Sequence, residues 1–134
     1  MHLISSRWLV LIALSISAIP LPAQQKEKPT DPDIFAQAKA KAEKGDAESQ
    51  EKTASYYASG VGVTKDLSKA VQWYLKAAGQ GNATAQRKLG LCYAKGLGIP
   101  KDDVESYKWN LQAASQGDSE AQFALGFAYP LGEA

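Results

Sequence analysis

Few residues in this sequence could perform acid–base, nucleophilic or metal chemistry. The only histidine is His2 and the only cysteine is Cys92. Histidine is the usual general base near neutral pH, and structural zinc sites combine several Cys and His ligands. Because His2 lies in a segment that we expect to be removed, the mature chain has neither a histidine-activated nucleophile nor a zinc site. A single cysteine also excludes an intrachain disulfide.

Carboxylates are the remaining candidates for catalysis or cation binding. Glu48 and Glu51 lie one helical turn apart and could in principle act as an acid–base pair. Asp102, Asp103 and Glu105 could hold a cation, but helix capping and first-turn dipole roles explain them more simply. We predict no catalytic residue, no metal and no cofactor, with a small cell-wall-acting or β-lactam-related hydrolase as the enzymatic alternative.

The other chemically suggestive residues have structural interpretations. The glycines of Gly60-Val61-Gly62 and Gly96-Leu97-Gly98 are predicted to form turns rather than a phosphate-binding loop, because no strand precedes them. Cys92 is predicted to be a small buried apolar residue rather than a nucleophile. Trp73 and Trp109 are predicted to be core residues rather than ligand-stacking rings.

The N-terminal segment is predicted to direct export. Arg7 precedes a short apolar run, Trp8–Ile19, and Ala23 is followed by a polar stretch. This order is typical of a secretory signal peptide, and the run is shorter than the roughly 20 residues of a membrane-spanning helix. We predict a signal peptide at residues 1–23, a polar tether at 24–31, and a periplasmic or secreted protein, with a bacterial host favoured.

The charge of the mature chain is balanced. The full sequence has 15 Lys and Arg against 14 Asp and Glu, and Arg7 is the only one of these residues in the signal segment. Removal of that segment leaves 14 positive against 14 negative side chains. A neutral domain lacks the basic surface that nucleic acids and anionic membranes require, so neither is predicted as a partner.

A repeat of 36 residues organises the rest of the chain. The segment 45–50 recurs at 81–86 and again at 117–122, and an ungapped alignment of 45–80 with 81–116 has 15 identities. Ordinary composition would give roughly two to three identities by chance. The sequence therefore predicts repeat 1 at 45–80, repeat 2 at 81–116 and an incomplete repeat 3 at 117–134.

Each unit is predicted to be a helix, a glycine-containing loop and a second helix. Asp and Asn residues precede each predicted helix as caps, and glycines follow the first helices. The predicted first helices are about 47–58, 83–94 and 119–129, and the second helices are about 67–79 and 103–115. A lead-in helix at 32–44, with Pro32 in its first turn, is predicted to pack against the first unit.

The packing pattern repeats with the same period. Val71, Tyr74, Leu75 and Ala78 are predicted to form the buried stripe of the helix at 67–79. Ala54, Gly90 and Gly126 share one repeat position. A glycine inside a helix costs about 1 kcal/mol relative to alanine, so a small residue here predicts the close approach of a neighbouring helix.

The motif that spans Ala83–Gly98, followed by Lys101-Asp102, Trp109 and Ala113–Gly117, resembles the Sel-one-like repeat (SLR) family. This family belongs to the tetratricopeptide-like superfamily, and the resemblance covers roughly residues 45–134. It implies an all-α fold, an α/α solenoid of antiparallel helix pairs in a right-handed superhelix with a concave face. It also implies a non-enzymatic adaptor or scaffold that binds a protein or peptide.

Several positions depart from the family pattern. Thr53 stands where Leu89 and Leu125 stand in the other units. Asn110 replaces the aromatic Tyr74, Ser106 replaces Ala70, and all three changes are expected to weaken individual layers. The cysteine-rich branch of the family, which includes proteins described as binding β-lactams, does not fit a lone cysteine. Because the last unit lacks its second helix, we also consider a structural unit that self-associates through this open C-terminal end.

The predicted binding surface follows from the resemblance. In related folds the concave face is formed by the first helix of each pair, at positions outside the packing pattern. Three different chemistries occupy one such column, since Glu51, Arg87 and Phe123 share a repeat position. The candidate partner-binding residues are Glu48, Glu51, Lys52, Ser55, Thr84, Arg87, Lys88, Leu91, Glu120, Phe123 and Phe127.

Overall fold

The computed structural model describes residues 28–128, which contain helices and no β-strand. The helices are α1 (Asp31–Glu43), α2 (Ala47–Ser59), α3 (Leu67–Gly79), α4 (Ala83–Lys95), α5 (Asp103–Ser115) and α6 (Ser119–Ala128). Each helix packs on its neighbour in the sequence, and the contacts within the pairs α2–α3 and α4–α5 are the most extensive. The prediction of an all-α solenoid of helix pairs is confirmed. The predicted signal peptide, the first half of the tether (residues 24–27) and residues 129–134 lie outside the described residues.

The predicted caps determine where the helices begin. The side chains of Asp46 and Asn82 each accept a hydrogen bond of 2.8 Å from the backbone N–H three residues ahead, at the starts of α2 and α4. Asp66 and Asp102 cap α3 and α5 in the same way. The hydrogen bonds from Ser49 also lower the pKa of Asp46, because they stabilise its charged form.

Glycines with positive φ end the first helices and bring each loop close to the preceding layer. Gly60 and Gly96 end α2 and α4 in the left-handed conformation, with φ of 75° and 69°. Two residues later, a Cβ on Gly62 or Gly98 would collide with a backbone carbonyl at the start of α1 or α3, respectively. The loop of each unit therefore packs directly against the helix start of the layer before it, and α1 supplies that contact for the first unit.

A glutamine ladder connects successive layers. The buried Gln86 donates from Nε2 to the carbonyl of Ala78 at 3.1 Å, and its Oε1 accepts from Gln116 Nε2 at 2.7 Å. One repeat earlier the same two bonds join Gln50 to Ala42 and Gln80 to Gln50. Each bond satisfies a buried polar group that would otherwise be costly to remove from water.

The core consists of small residues and a few large ones. Leu89 and Ala54 are fully buried, and Tyr74 is 4% exposed. The predicted stripe of α3 is wrong at Leu75, which is 38% exposed. Because α3 packs on both α2 and α4, its buried face is centred near Tyr74, and Leu75 lies about 100° further around the helix.

The small residue in the middle of α4 permits a close helix contact, as predicted. A Cβ on Gly90 would lie only 2.7 Å from the amide of Asn110 on α5. At Gly126, which has the same repeat position on α6, this prediction is wrong, because the glycine has open space around it and no further helix follows α6 among residues 28–128. The polar substitution at Thr53 is accommodated in the core, because its hydroxyl donates to the carbonyl of Ser49 at 2.8 Å.

Candidate partner-binding site

The predicted binding residues lie on the first helix of each pair. We call this set the first-helix face: Glu48, Glu51, Lys52 and Ser55 on α2, Thr84, Arg87, Lys88 and Leu91 on α4, and Glu120, Phe123 and Phe127 on α6. None of these side chains is buried, in agreement with positions outside the packing pattern. The structure joins some of them into clusters that cross from one repeat to the next.

A polar cluster connects α2 with α4. Lys88 Nζ lies 2.7 Å from Glu51 Oε1 and 2.6 Å from Ser55 Oγ. The hydroxyl of Ser55 is also 3.1 Å from the hydroxyl of Tyr74, which comes from α3. Burial raises the pKa of Tyr74, so its hydroxyl remains protonated at neutral pH. These contacts neutralise the charges of Glu51 and Lys88 within the protein.

An arginine joins α4 to the next unit. Arg87 Nε lies 3.2 Å from a carboxylate oxygen of Asp118, and Arg87 Nη1 lies 2.7 Å from Glu120 Oε2. Asp118 also accepts a hydrogen bond from the N–H of Ala121 at 2.8 Å, so it caps α6 while it pairs with the guanidinium. The sequence predicted the cap but did not indicate the ion pair.

The carboxylates do not form the pair that the hydrolase alternative requires. Glu48 pairs with Lys52 along α2 at 2.7 Å, whereas Glu51 pairs with Lys88 on α4. The two carboxylates are therefore held by different lysines, on α2 and on α4, rather than as a pair with each other.

A cavity of about 570 Å³ opens between α4, α5 and α6. Its lining residues include Arg87, Leu91, Ser106, Asn110, Phe123 and Ala124. Pockets that bind ligands are commonly about 300–1,000 Å³, mostly apolar, with a few polar groups. Three of these residues belong to the first-helix face, whereas Asn110 and Ser106 were missed as site residues. The substitution of Asn110 for Tyr74 at one repeat position was the sequence feature that could have indicated them.

Two phenylalanines on α6 extend the apolar surface beyond the cavity. Phe123 and Phe127 are 74% and 81% exposed, and their rings stack with centroids 6.1 Å apart. Phe123 lines the cavity, whereas Phe127 extends the surface along α6. Large aromatic side chains at this level of exposure are typical of interaction surfaces.

The remaining chemically suggestive residues have structural roles. Cys92 is buried, and burial raises the pKa of its thiol, which disfavours the reactive thiolate. Asp102 Oδ1 accepts hydrogen bonds from the N–H groups of Val104 and Glu105, as a helix cap does. Within residues 28–128 no group of His, Cys, Asp or Glu side chains is arranged to hold a metal ion.

The repeats match a known family. The Sel1 repeat family matches residues 47–82, 83–118 and 119–133, which is more than half of the chain. The chain belongs to the Sel1 repeat family. Sel1 repeat proteins generally mediate protein–protein interactions, and most members are non-enzymatic adaptors. No curated protein matches the chain significantly.

Solved structures of bacterial Sel1 repeat proteins share the fold. A protective antigen of uropathogenic Escherichia coli with an SLR fold is 31% identical, with a TM-score of 0.73 over 75% of this chain and 21% of its own. A Sel1 repeat protein from Oxalobacter formigenes is 36% identical, with a TM-score of 0.68 over 70% and 27% of the two chains. Cysteine rich protein B of Helicobacter pylori is 27% identical, with a TM-score of 0.66 over 69% of each chain.

The Sel1 repeats of this chain span about a fifth to a quarter of the length of the first two of these proteins. Among the helices at residues 28–128, none has the length and apolar character needed to cross a bilayer.

Proposed function

We propose that this chain is an exported, non-enzymatic Sel1 repeat module that binds a protein or peptide on its first-helix face. The observation that carries the proposal is the contrast between a repeated scaffold and a varied surface. The glutamine ladder and the helix caps recur from unit to unit, whereas Glu51, Arg87 and Phe123 occupy one surface column. A scaffold that repeats while its surface varies suits recognition of one partner by several side-chain chemistries.

The surface changes character along the array. On α2 the exposed groups Glu48 and Lys52 are charged, whereas α6 presents the exposed rings of Phe123 and Phe127 beside the ion pair of Arg87 and Glu120. Interface centres are enriched in aromatic residues and arginine, and charged residues surround them. Arg87 and Phe123 therefore form the expected centre of the binding surface, and the α2 end forms its rim.

Export is supported by the N-terminal sequence. A short apolar run preceded by Arg7 and followed by Ala23 favours cleavage after residue 23 and delivery to a periplasm or the exterior. The solved structures that the chain resembles are from bacterial proteins. N-terminal sequencing of protein recovered from a bacterial periplasm tests this part. A chain that begins near residue 24 supports export, and an uncleaved chain in the cytoplasm contradicts it.

Charge reversal at the centre of the face tests the binding function. A partner captured by the wild-type chain from its own host should bind the double variant Arg87→Glu, Lys88→Glu at least about tenfold more weakly, because buried charge pairs at an interface commonly contribute 2 kcal/mol or more. The matched control is Lys95→Glu with Lys101→Glu, which makes the same charge change at exposed residues outside the first-helix face. Equal affinity of both double variants for the partner would contradict the proposal.

Both charge reversals also break ion pairs inside the protein, those of Arg87 with Asp118 and Glu120 and that of Lys88 with Glu51, so a second variant separates binding from folding. Phe123→Ser removes a largely exposed ring that stacks only on Phe127 among the described aromatic residues. We expect weaker partner binding with little change in thermal unfolding. Circular dichroism verifies that each variant retains its helices.

A second candidate function is self-association through α6. The exposed stack of Phe123 and Phe127 favours it, because contiguous apolar surface drives association. Sedimentation velocity distinguishes the two candidates. A dimer that dissociates in the variant Phe123→Ser, Phe127→Ser supports self-association, and a monomer at high concentration excludes it.

A further inference from the structure

The cavity between α4, α5 and α6 has a filled counterpart one repeat earlier. The residue that corresponds to Asn110 is Tyr74, whose ring is almost completely buried and whose hydroxyl lies 3.1 Å from Ser55 Oγ. Lys88 also lies over this ring, with Nζ 5.8 Å from the centroid. The space between α2, α3 and α4 is thus occupied by an aromatic side chain of the protein itself.

The second layer lacks this aromatic plug. Asn110 is shorter, lies flat against Gly90 and donates from Nδ2 to the carbonyl of Ser106 at 3.0 Å. The residues that correspond to Ser55 and Lys88 are Leu91 and Ala124. The three changes remove the ring and its polar partners together, and they leave an open cavity of about 570 Å³ beside Arg87 and Phe123.

We infer that this cavity binds a tyrosine side chain of the partner polypeptide, in the space that Tyr74 occupies in the preceding layer. The inference rests on the proposed function, because it identifies the side chain that the first-helix face would recognise. We infer an aromatic side chain because the same arrangement of helices already encloses the ring of Tyr74 one repeat earlier.

The lining suits a phenol more than an aliphatic group. Leu91, Ala124 and Phe123 supply apolar walls, and Phe123 offers an aromatic face or edge to the ring. At the floor, Asn110 Oδ1 accepts no hydrogen bond from residues 28–128, and Ser106 Oγ lies beside the same amide. An incoming hydroxyl can donate to Asn110 Oδ1, whereas a leucine side chain would leave this acceptor unsatisfied.

Capped amino acids test the specificity of the cavity on the full chain. N-acetyl-tyrosinamide and N-acetyl-leucinamide are titrated into isotope-labelled protein while amide chemical shifts are followed by NMR. We expect tyrosinamide to bind with Kd on the order of millimolar, to shift amides around Leu91, Asn110 and Phe123, and to bind at least about threefold more tightly than leucinamide. Equal or tighter binding of leucinamide would overturn the inference.

Filling the cavity gives the sharper test. Asn110→Tyr introduces the residue of the preceding layer, and the glycine at position 90 leaves more room than Ala54 does there. We expect this variant to bind tyrosinamide at least about tenfold more weakly, whereas the control Val104→Ala, an exposed position on α5 outside the cavity lining, should bind as the wild type does. Unchanged affinity in Asn110→Tyr would place the ligand elsewhere and refute the inference.

A replacement variant and a comparison of partner binding complete the test of the tyrosine site. If Asn110→Tyr loses its dispersed NMR spectrum, Ala124→Lys, which restores the residue of the preceding layer at another cavity wall, replaces it with the same expectation. With a captured partner, binding lost in Arg87→Glu, Lys88→Glu but retained in Asn110→Tyr would refute the tyrosine site and leave the proposed function intact. Binding retained in both would instead refute the proposed function.

Discussion

Lys88 Nζ lies 2.7 Å from Glu51 Oε1, although the two residues are on different repeats. The side chains are 30% and 13% exposed, so water screens this pair less than it screens a pair on the open surface. Ser55 donates to the same carboxylate oxygen at 2.8 Å, which fixes the geometry of the pair. The contact therefore connects two layers near the surface of the protein, in addition to the buried bonds of the glutamine ladder.

A double-mutant cycle measures this connection. We expect Glu51→Gln and Lys88→Met to show a coupling free energy of about 1 kcal/mol in urea unfolding, because the pair is partly buried and hydrogen-bonded. The pair Glu48 and Lys52 has the same 2.7 Å separation but lies exposed along one helix, and its coupling should be about 0.3–0.5 kcal/mol. Equal coupling in the two cycles would show that the contact between repeats adds nothing to a local helix pair.

The glycine of the second loop should tolerate no side chain. Gly98→Ala would place a Cβ against the backbone carbonyl of Leu67 at a φ of +71°, so we expect a loss of about 3 kcal/mol or more in the free energy of unfolding. Gly126→Ala is the matched control, since this helical glycine has open space around it and alanine should stabilise α6 by about 0.5–1 kcal/mol. Urea denaturation of both variants checks the difference in sign.

The glutamine ladder should stabilise the protein most where its side chains are buried. Gln86→Leu leaves the carbonyl of Ala78 and the amide of Gln116 without their partner, and we expect a loss of about 2 kcal/mol in unfolding free energy. Gln122 makes the same 3.1 Å bond to Ala114 but is exposed, so water can replace it. Gln122→Leu should therefore lower the free energy of unfolding by less than about 0.5 kcal/mol. A similar loss at both positions would show that burial of the glutamine does not determine how much it stabilises the protein.

Features that repeat locally could be predicted from the sequence. The caps at Asp46 and Asn82 and the turn glycines at Gly60 and Gly96 depend on residues within one turn of themselves. The bounds of the helices can therefore be predicted from the spacing of these residues, even when the packing between layers is not known. A helical glycine predicts a nearby helix correctly at Gly90 but not at Gly126, because the contact also depends on which helices follow.

Features that depend on the geometry between layers could not be predicted. The exposure of Leu75 follows from the angle at which two neighbours pack on α3, and the pairing of Arg87 with Asp118 follows from the offset between units. The cavity at Asn110 is an intermediate case. The substitution of Asn110 for Tyr74 predicts a weaker layer, but only the structure relates the missing ring to an opening beside Phe123.

The reactivity of Cys92 tests the core of the second layer. Burial raises the pKa of this thiol above its usual value of about 8.5, so at pH 8 the folded protein holds less thiolate than the unfolded chain. We expect labelling by a thiol-specific reagent at pH 8 to be slow and to accelerate in denaturant in proportion to the unfolded fraction, because only unfolding exposes the sulfur.

The raised pKa of Cys92 also makes the free energy of unfolding depend on pH. Stability from the neutral thiol is present below about pH 8.5 and is lost as the pH rises towards the folded-state pKa, so Cys92→Ala should flatten the fall in unfolding free energy above pH 8.5. Labelling of the native protein as fast as that of the denatured chain would show that the Cys92 sulfur is accessible to solvent in the folded protein.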